Sequence, residues 1–218
     1  MAERLAAWEA SEDRRRIFLD CYMRMTRNML TAIEQGRFDD AQWVTRLLHH
    51  FAGYYFDAVD ACERAADEPP VWAHALQASA SPRTTVLQNL LLGINAHINY
   101  DLVLALSDVL APEWESASDA VKRRRYHDHS LVNRIIAETV DEVQDEVVER
   151  HSPAMDLVDK MAGPIDEWAA SWFIGVWREE VWQNAIEMTS CCAQHDREDL
   201  RRRVELKAME RARLLLLV

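Results

Sequence analysis

Apolar residues recur at helical spacing along most of the chain, and no segment alternates apolar and polar between hairpin turns. Only five glycines and six prolines punctuate 218 residues. Ser11 followed by Glu12 and Asp13 reads as an N-cap with an acidic first turn, opening a helix to about Gln35 with Gly36 as its stop. A second helix is expected from Asp39/Asp40 to about Ala66, closed by Pro69-Pro70. A short one follows over Val71–Ala78, and after the Ser81-Pro82-Arg83-Thr84 turn a long one over Thr85–Leu110. Ser118-Asp119 opens another helix, expected to break near His127–Ser130 and resume over Leu131–Arg150. Ser152-Pro153 suits the start of a short helix ending at Gly163. Pro164 begins a long helix to about Cys192, and Asp196 begins the last.

Short connections between helices favour antiparallel neighbours. The pattern predicts an all-α, single-domain antiparallel bundle of about eight or nine helices. Residues 196–218 form its C-terminal helix, whose Leu-Leu-Leu-Leu-Val end is expected to dock on the body or to build a homodimer.

Composition narrows the partners. The net charge of −12 argues against nucleic acid, because phosphate binding rests on an excess of Lys and Arg. No apolar run approaches the ~20 residues of a membrane span, and the first residues lack a secretory h-region, so a cytoplasmic location is expected. The four cysteines, Cys21, Cys62, Cys191 and Cys192, show no C-x-x-C spacing. They read as idle thiols, with a redox role for the vicinal pair as the alternative.

The segment Val86–Leu110 carries the candidate chemistry. It is apolar nearly all round at both ends, as buried helices are, yet Asn95, His97, Asn99, Tyr100 and Asp101 sit in its middle. Buried polar groups need partners, so these five must face a cavity, each other or a ligand. His97 and Asp101 lie one turn apart on one face. Asn95 and Asn99 form a second such pair about 160° around the helix, so the five cannot line one wall. One reading is a satisfied interior network. The other is a catalytic or metal cluster, since His-x-x-x-Asp offers a nitrogen and an oxygen ligand to zinc or iron.

Further ligands would come from elsewhere. His50, with Tyr54 and Asp57, lies on one face of an aromatic helix, and Asp128 lies in the polar run Tyr126-His127-Asp128-His129. His97, Asp101, Asp128 and His50 are therefore the candidate metal ligands. Asn99 and Arg178 join His97, Asp101 and Asp128 as candidate catalytic residues. The Pro164–Cys192 helix carries Trp168, Trp172, Trp177 and Trp182, which either pack the core or wall an apolar pocket with Arg178 binding an anionic group. The acids from Glu138 to Glu149 lie off the stripe of Val132, Ile136, Val140, Val143 and Val147 and read as a solvated face.

The run Leu91-Leu92-Gly93-Ile94-Asn95-Ala96-His97-Ile98-Asn99-Tyr100-Asp101-Leu102 resembles the signature of a bacterial family named domain of unknown function 5995. Phe51-Ala52, Tyr54 or Tyr55, Trp72, Asp128, Asn133, Arg178 and Trp182 extend the resemblance over about residues 40–190. It strengthens the idea of a site and names no reaction. A more distant similarity links the His-x-x-x-Asp pair to helical zinc phosphoesterases of the phospholipase C and single-strand nuclease type. Those proteins use several such elements and an N-terminal Trp ligand, whereas this chain has one clean pair. The two Glu-x-x-His elements of diiron bundles are absent as well.

Two expectations follow. One is a metal-dependent enzyme using zinc or iron on an apolar or lipid-like small molecule, with hydrolysis ahead of oxygen chemistry. The other is a metal-free helical pocket, either a binding module or a cyclase/isomerase, with His97 and Asp101 as a base or a structural pair.

Overall fold

The computed structural model describes residues 1–143 and 165–217, with side chains at 1–139 and 174–217. Among these the chain is all-α, and its helices pack as a bundle. The order is α1 Ala2–Ala10, α2 Arg16–Glu34, α3 Ala41–Glu63, α4 Pro70–Ala80, α5 Val86–Ala96, a π turn His97–Asp101, α6 Leu102–Leu110, α7 Asp119–Val143, α8 Ile165–Ser190 and α9 Gln194–Leu215. The expected helix over Ser152–Gly163 lies outside the described residues.

Several ends form as the local chemistry dictates. Asp40 accepts the Trp43 N–H at the start of α3, and Pro70 occupies the first turn of α4, where its missing N–H costs nothing. Thr85 and Gln88 close a reciprocal capping box at α5. Gly36 ends α2 in the left-handed conformation, φ 69°.

Two expectations are corrected. Ser11 ends a helix instead of opening one: its hydroxyl donates to the Ala7 carbonyl at 3.0 Å, and Asp13 then accepts the Arg15 N–H at 2.9 Å ahead of α2. A Ser side chain can serve either helix end, and burial of Leu5 and Trp8 makes the preceding turn a packed helix. The break expected at His127–Ser130 is also missing, because α7 runs through it. No Gly or Pro interrupts that stretch, and its polar side chains find partners on other elements.

The α5–π–α6 segment is the centre of the bundle. By length and composition it could cross a membrane, yet 83% of its most apolar window is buried inside the protein, as in a core helix. Here α6 lies between α3 and α8, α2 packs on α5 and α7, and α4 packs on α5. The last helix, α9, docks across α4, α5 and the π turn. Leu206, Leu214 and Leu217 on α9 and its end stay exposed. All four cysteines are free.

Candidate functional site

The π turn turns the polar middle of the central helix toward two different partners. On one side, His97 Nδ1 lies 2.9 Å from Asp101 Oδ2. The indole N–H of Trp72, on α4, donates to both carboxylate oxygens, at 3.0 Å to Oδ1 and 2.9 Å to Oδ2. All three residues are buried, each 3% exposed or less. Their surroundings are aromatic. Phe51 from α3 stacks on the imidazole, ring centres 3.5 Å apart and planes 7° apart. Tyr22 and Phe18 of α2 and Tyr55 of α3 close the other sides at 4.4, 5.8 and 5.8 Å.

The other ring nitrogen of His97, Nε2, is buried and has no hydrogen-bond partner among the described residues. Native interiors leave few polar atoms in that state, and each calls for a structural or functional reason. Burial holds the imidazole well below its ordinary value, so it is neutral at pH 7. Burial also pushes the Asp101 carboxyl up, against the Trp72 hydrogen bonds and the positive field of Arg201. Between Phe18, Tyr55 and Trp72 and the polar groups of Arg15, Ser79 and Asn89 runs a cleft of about 10 Å³, room for about one water. Gly93 borders it because a Cβ there would overlap the Phe18 ring.

On the other side, Asn95 donates to the Ala208 carbonyl at 2.9 Å and Asn99 donates to Asn95 at 2.9 Å. Arg211 reaches Asn99 Oδ1 at 2.8 Å and Glu180 at 2.5 Å, and Lys207 also pairs with Glu180. Asn99, expected in the catalytic set, is thus part of the seam that fastens α9. Tyr100 takes a third direction, where its hydroxyl accepts from Arg201 Nε at 2.9 Å.

Asp128, His50 and Arg178 stand elsewhere. Asp128 accepts the backbone N–H groups of Asp39 and Asp40 at 2.7 and 2.9 Å and so caps the start of α3. That point is eleven residues before Phe51, about 16 Å along the helix from the ring that covers His97. Arg125 completes the same corner, bonding Asp40 at 2.6 Å and Glu113 at 2.7 Å. His50 faces Asp108 at 3.8 Å, and Asp108 lies seven residues, about 10 Å of helix rise, beyond Asp101. Tyr54 donates to the same Asp108 carboxylate at 2.7 Å.

Arg178 is buried against α7, donating to Asn133 Oδ1 and to the His129 carbonyl, both at 2.7 Å. His129 closes that loop, its Nε2 lying 3.1 Å from the Arg178 carbonyl. Burial lowers the Arg178 guanidinium to about 9. Trp182 packs against Trp114, Tyr126 and His129. Trp177 lies under Arg211, while the side chains of Trp168 and Trp172 lie outside the described residues.

The four residues expected to share an ion therefore occupy three places. At the His97 centre Nε2 is uncommitted among the described residues, and both Asp101 oxygens already accept hydrogen bonds. A different group, Asp39, His127 and Asp128, brings ligand atoms within 4.8 Å of one another. There His127 Nδ1 is already 2.7 Å from Asp39, and both Asp128 oxygens are spent on backbone N–H groups. Helix capping explains that group.

Sequence reasoning missed Trp72 as the partner of Asp101, and Phe18 and Tyr22 as walls. A signal existed: Phe18/Tyr22 and Phe51/Tyr55 are aromatic pairs at the four-residue spacing that puts both rings on one helix face.

An all-α bundle built round a buried, aromatic-walled His–Asp pair is the class these features define. The chain belongs to the family of unknown function DUF5995, which matches residues 1–218. No curated protein and no solved structure matches the chain.

Proposed function

We propose that this protein is a proton-transfer enzyme of the isomerase or cyclase type, acting on a small, largely apolar molecule with His97 as its metal-free base. The observation that carries the reading is the unpartnered Nε2 of His97, on a ring whose other nitrogen is held by Asp101. A neutral imidazole so arranged has one lone pair to offer, and positioned histidines of this kind contribute about 10²–10⁴-fold to proton transfer. The aromatic walls suit an apolar substrate. Phe51, which stacks on the face of the imidazole, is itself only partly buried, so displacing this ring uncovers that face.

The reading without a metal is favoured over the zinc or iron enzyme because Asp128 and His50 do not reach His97. The test is deuterium incorporation from D₂O into a panel of small cyclic and aryl ketones, followed by mass spectrometry. Chelator-treated wild type should exchange at least one of them, and His97→Gln should lose about 10²-fold of that rate with its fold intact. Equal exchange by the variant, or activity that returns only with added zinc or iron, overturns the reading.

A further inference from the structure

We propose that Trp72 is the positioning residue that leaves the His97 Nε2 lone pair bare: by donating its indole N–H to both oxygens of Asp101, it keeps the pair as carboxylate and Nδ1–H imidazole. This rests on the reading of His97 as a base and identifies what sets the place of its proton.

One proton lies between Asp101 Oδ2 and His97 Nδ1, which are 2.9 Å apart. With a neutral ring the pair has two forms, and the second holds one proton more than the first, taken up from solvent. In the first, Asp101 is a carboxylate, Nδ1–H donates to it, and Nε2 is free to accept. In the second, Asp101 is a carboxylic acid donating to Nδ1, and the ring carries its proton on Nε2. The second form has no proton acceptor to offer a substrate. It also leaves a buried Nε2–H that faces no acceptor among the described residues.

Burial by itself favours the second form, since it removes a charge from an apolar interior. Donors aimed at the carboxylate favour the first. Apart from His97, the side chain that donates to Asp101 among the described residues is Trp72, within hydrogen-bond distance of both oxygens. Hydrogen bonds to an ionised acceptor are about twice as strong as neutral ones. An acid whose hydroxyl turned toward Nδ1 would also give up part of the indole contact at Oδ2. Arg201 acts on the carboxyl only through its field, because its guanidinium bonds Tyr100.

The indole cannot turn away. It is 1% exposed and held by Tyr55 and Phe18, ring centres 5.2 and 5.7 Å distant. Trp72 thereby acts on the base at one remove, through Asp101.

The proton can be located directly in protein labelled with [¹⁵N]histidine, using long-range ¹H–¹⁵N correlation spectra and His97→Gln to assign the ring. Wild type should show His97 protonated at Nδ1 and bare at Nε2. In Trp72→Phe the pair should take up a proton from solvent, leaving Asp101 as the acid and the ring protonated at Nε2, and kcat should fall about 10²-fold with KM unchanged. If Trp72→Phe does not fold, 3-benzothienylalanine at position 72 keeps the ring shape, replaces N–H with sulfur and should give the same shift. A wild-type ring already protonated at Nε2, or a ring unchanged when the indole N–H is gone, overturns the proposal. The spectra need no substrate. Unaltered exchange in His97→Gln would therefore overturn the enzymatic reading alone, and an unaltered tautomer the role of Trp72 alone.

Discussion

Arg211 reaches Asn99 Oδ1 at 2.8 Å, so the final helix is tied to the same five-residue turn that carries His97 and Asp101, on its opposite side. Asn95 continues the tie by donating to the Ala208 carbonyl. Replacing Asn95 with Ala leaves that buried carbonyl and the Asn99 amide short of partners. The expected cost is about 2 kcal/mol of stability in urea unfolding. A loss under about 0.5 kcal/mol, the scale of ordinary surface substitutions, would mean that the seam contributes little.

Asp128→Ala removes the acceptor of two N–H groups at the start of α3. It should destabilise the protein by about 2 kcal/mol, again by urea unfolding, while leaving the His97 ring spectrum as in wild type. A changed His97 spectrum would join the two places that the geometry separates.

Phe51→Ala should expose the imidazole. Acylation of His97 by diethyl pyrocarbonate, followed by peptide mass spectrometry, is expected to be slow in wild type and at least about tenfold faster in the variant, since burial governs access to the nitrogen. Equal rates would show that some other ring guards Nε2.

The pH dependence of stability carries a defined sign. His129 is buried, and burial, aided by Arg178, holds its folded pKa well below the ordinary value. The unfolded chain then binds more protons than the folded one once pH drops below about 6.5. The contribution of His129 is complete above that pH and is lost as pH falls toward the folded value, by up to about 1.4 kcal/mol per unit. Urea unfolding at pH 7.5 and 5.5 should therefore show a smaller drop in His129→Gln than in wild type. An identical drop would mean that His129 titrates normally.

Much of the arrangement was legible from the residues themselves. The 100° step of an α-helix placed His97 with Asp101 and set Asn95 with Asn99 on another face, and the two pairs do meet different neighbours. Capping chemistry placed the starts of α3 and α5. What escaped depended on tertiary contacts. Nothing local to Trp72 says that its N–H meets Asp101, because α4 is brought there by packing. Asp128 looked like a ligand because it lies in a dense polar run at an expected helix break, whereas its oxygens accept the backbone N–H groups of a distant helix end. Ser11 could close a helix or open one, and the burial of Trp8 before it decided which.

The π turn at His97–Asp101 has a consequence for how this centre can change. A single π turn holds one residue more than regular α-helical winding would need. The surplus residue lies in the turn that carries the His97–Asp101 pair. Shortening the chain by one position inside the turn would let the winding become regular while the leucines and valines of α5 and α6 keep their faces. The same deletion within α6 would swing everything beyond it by about 100°. A relative one residue shorter between these two side chains would thus keep the same bundle, with the spacing of His97 and Asp101 cut from four residues to three.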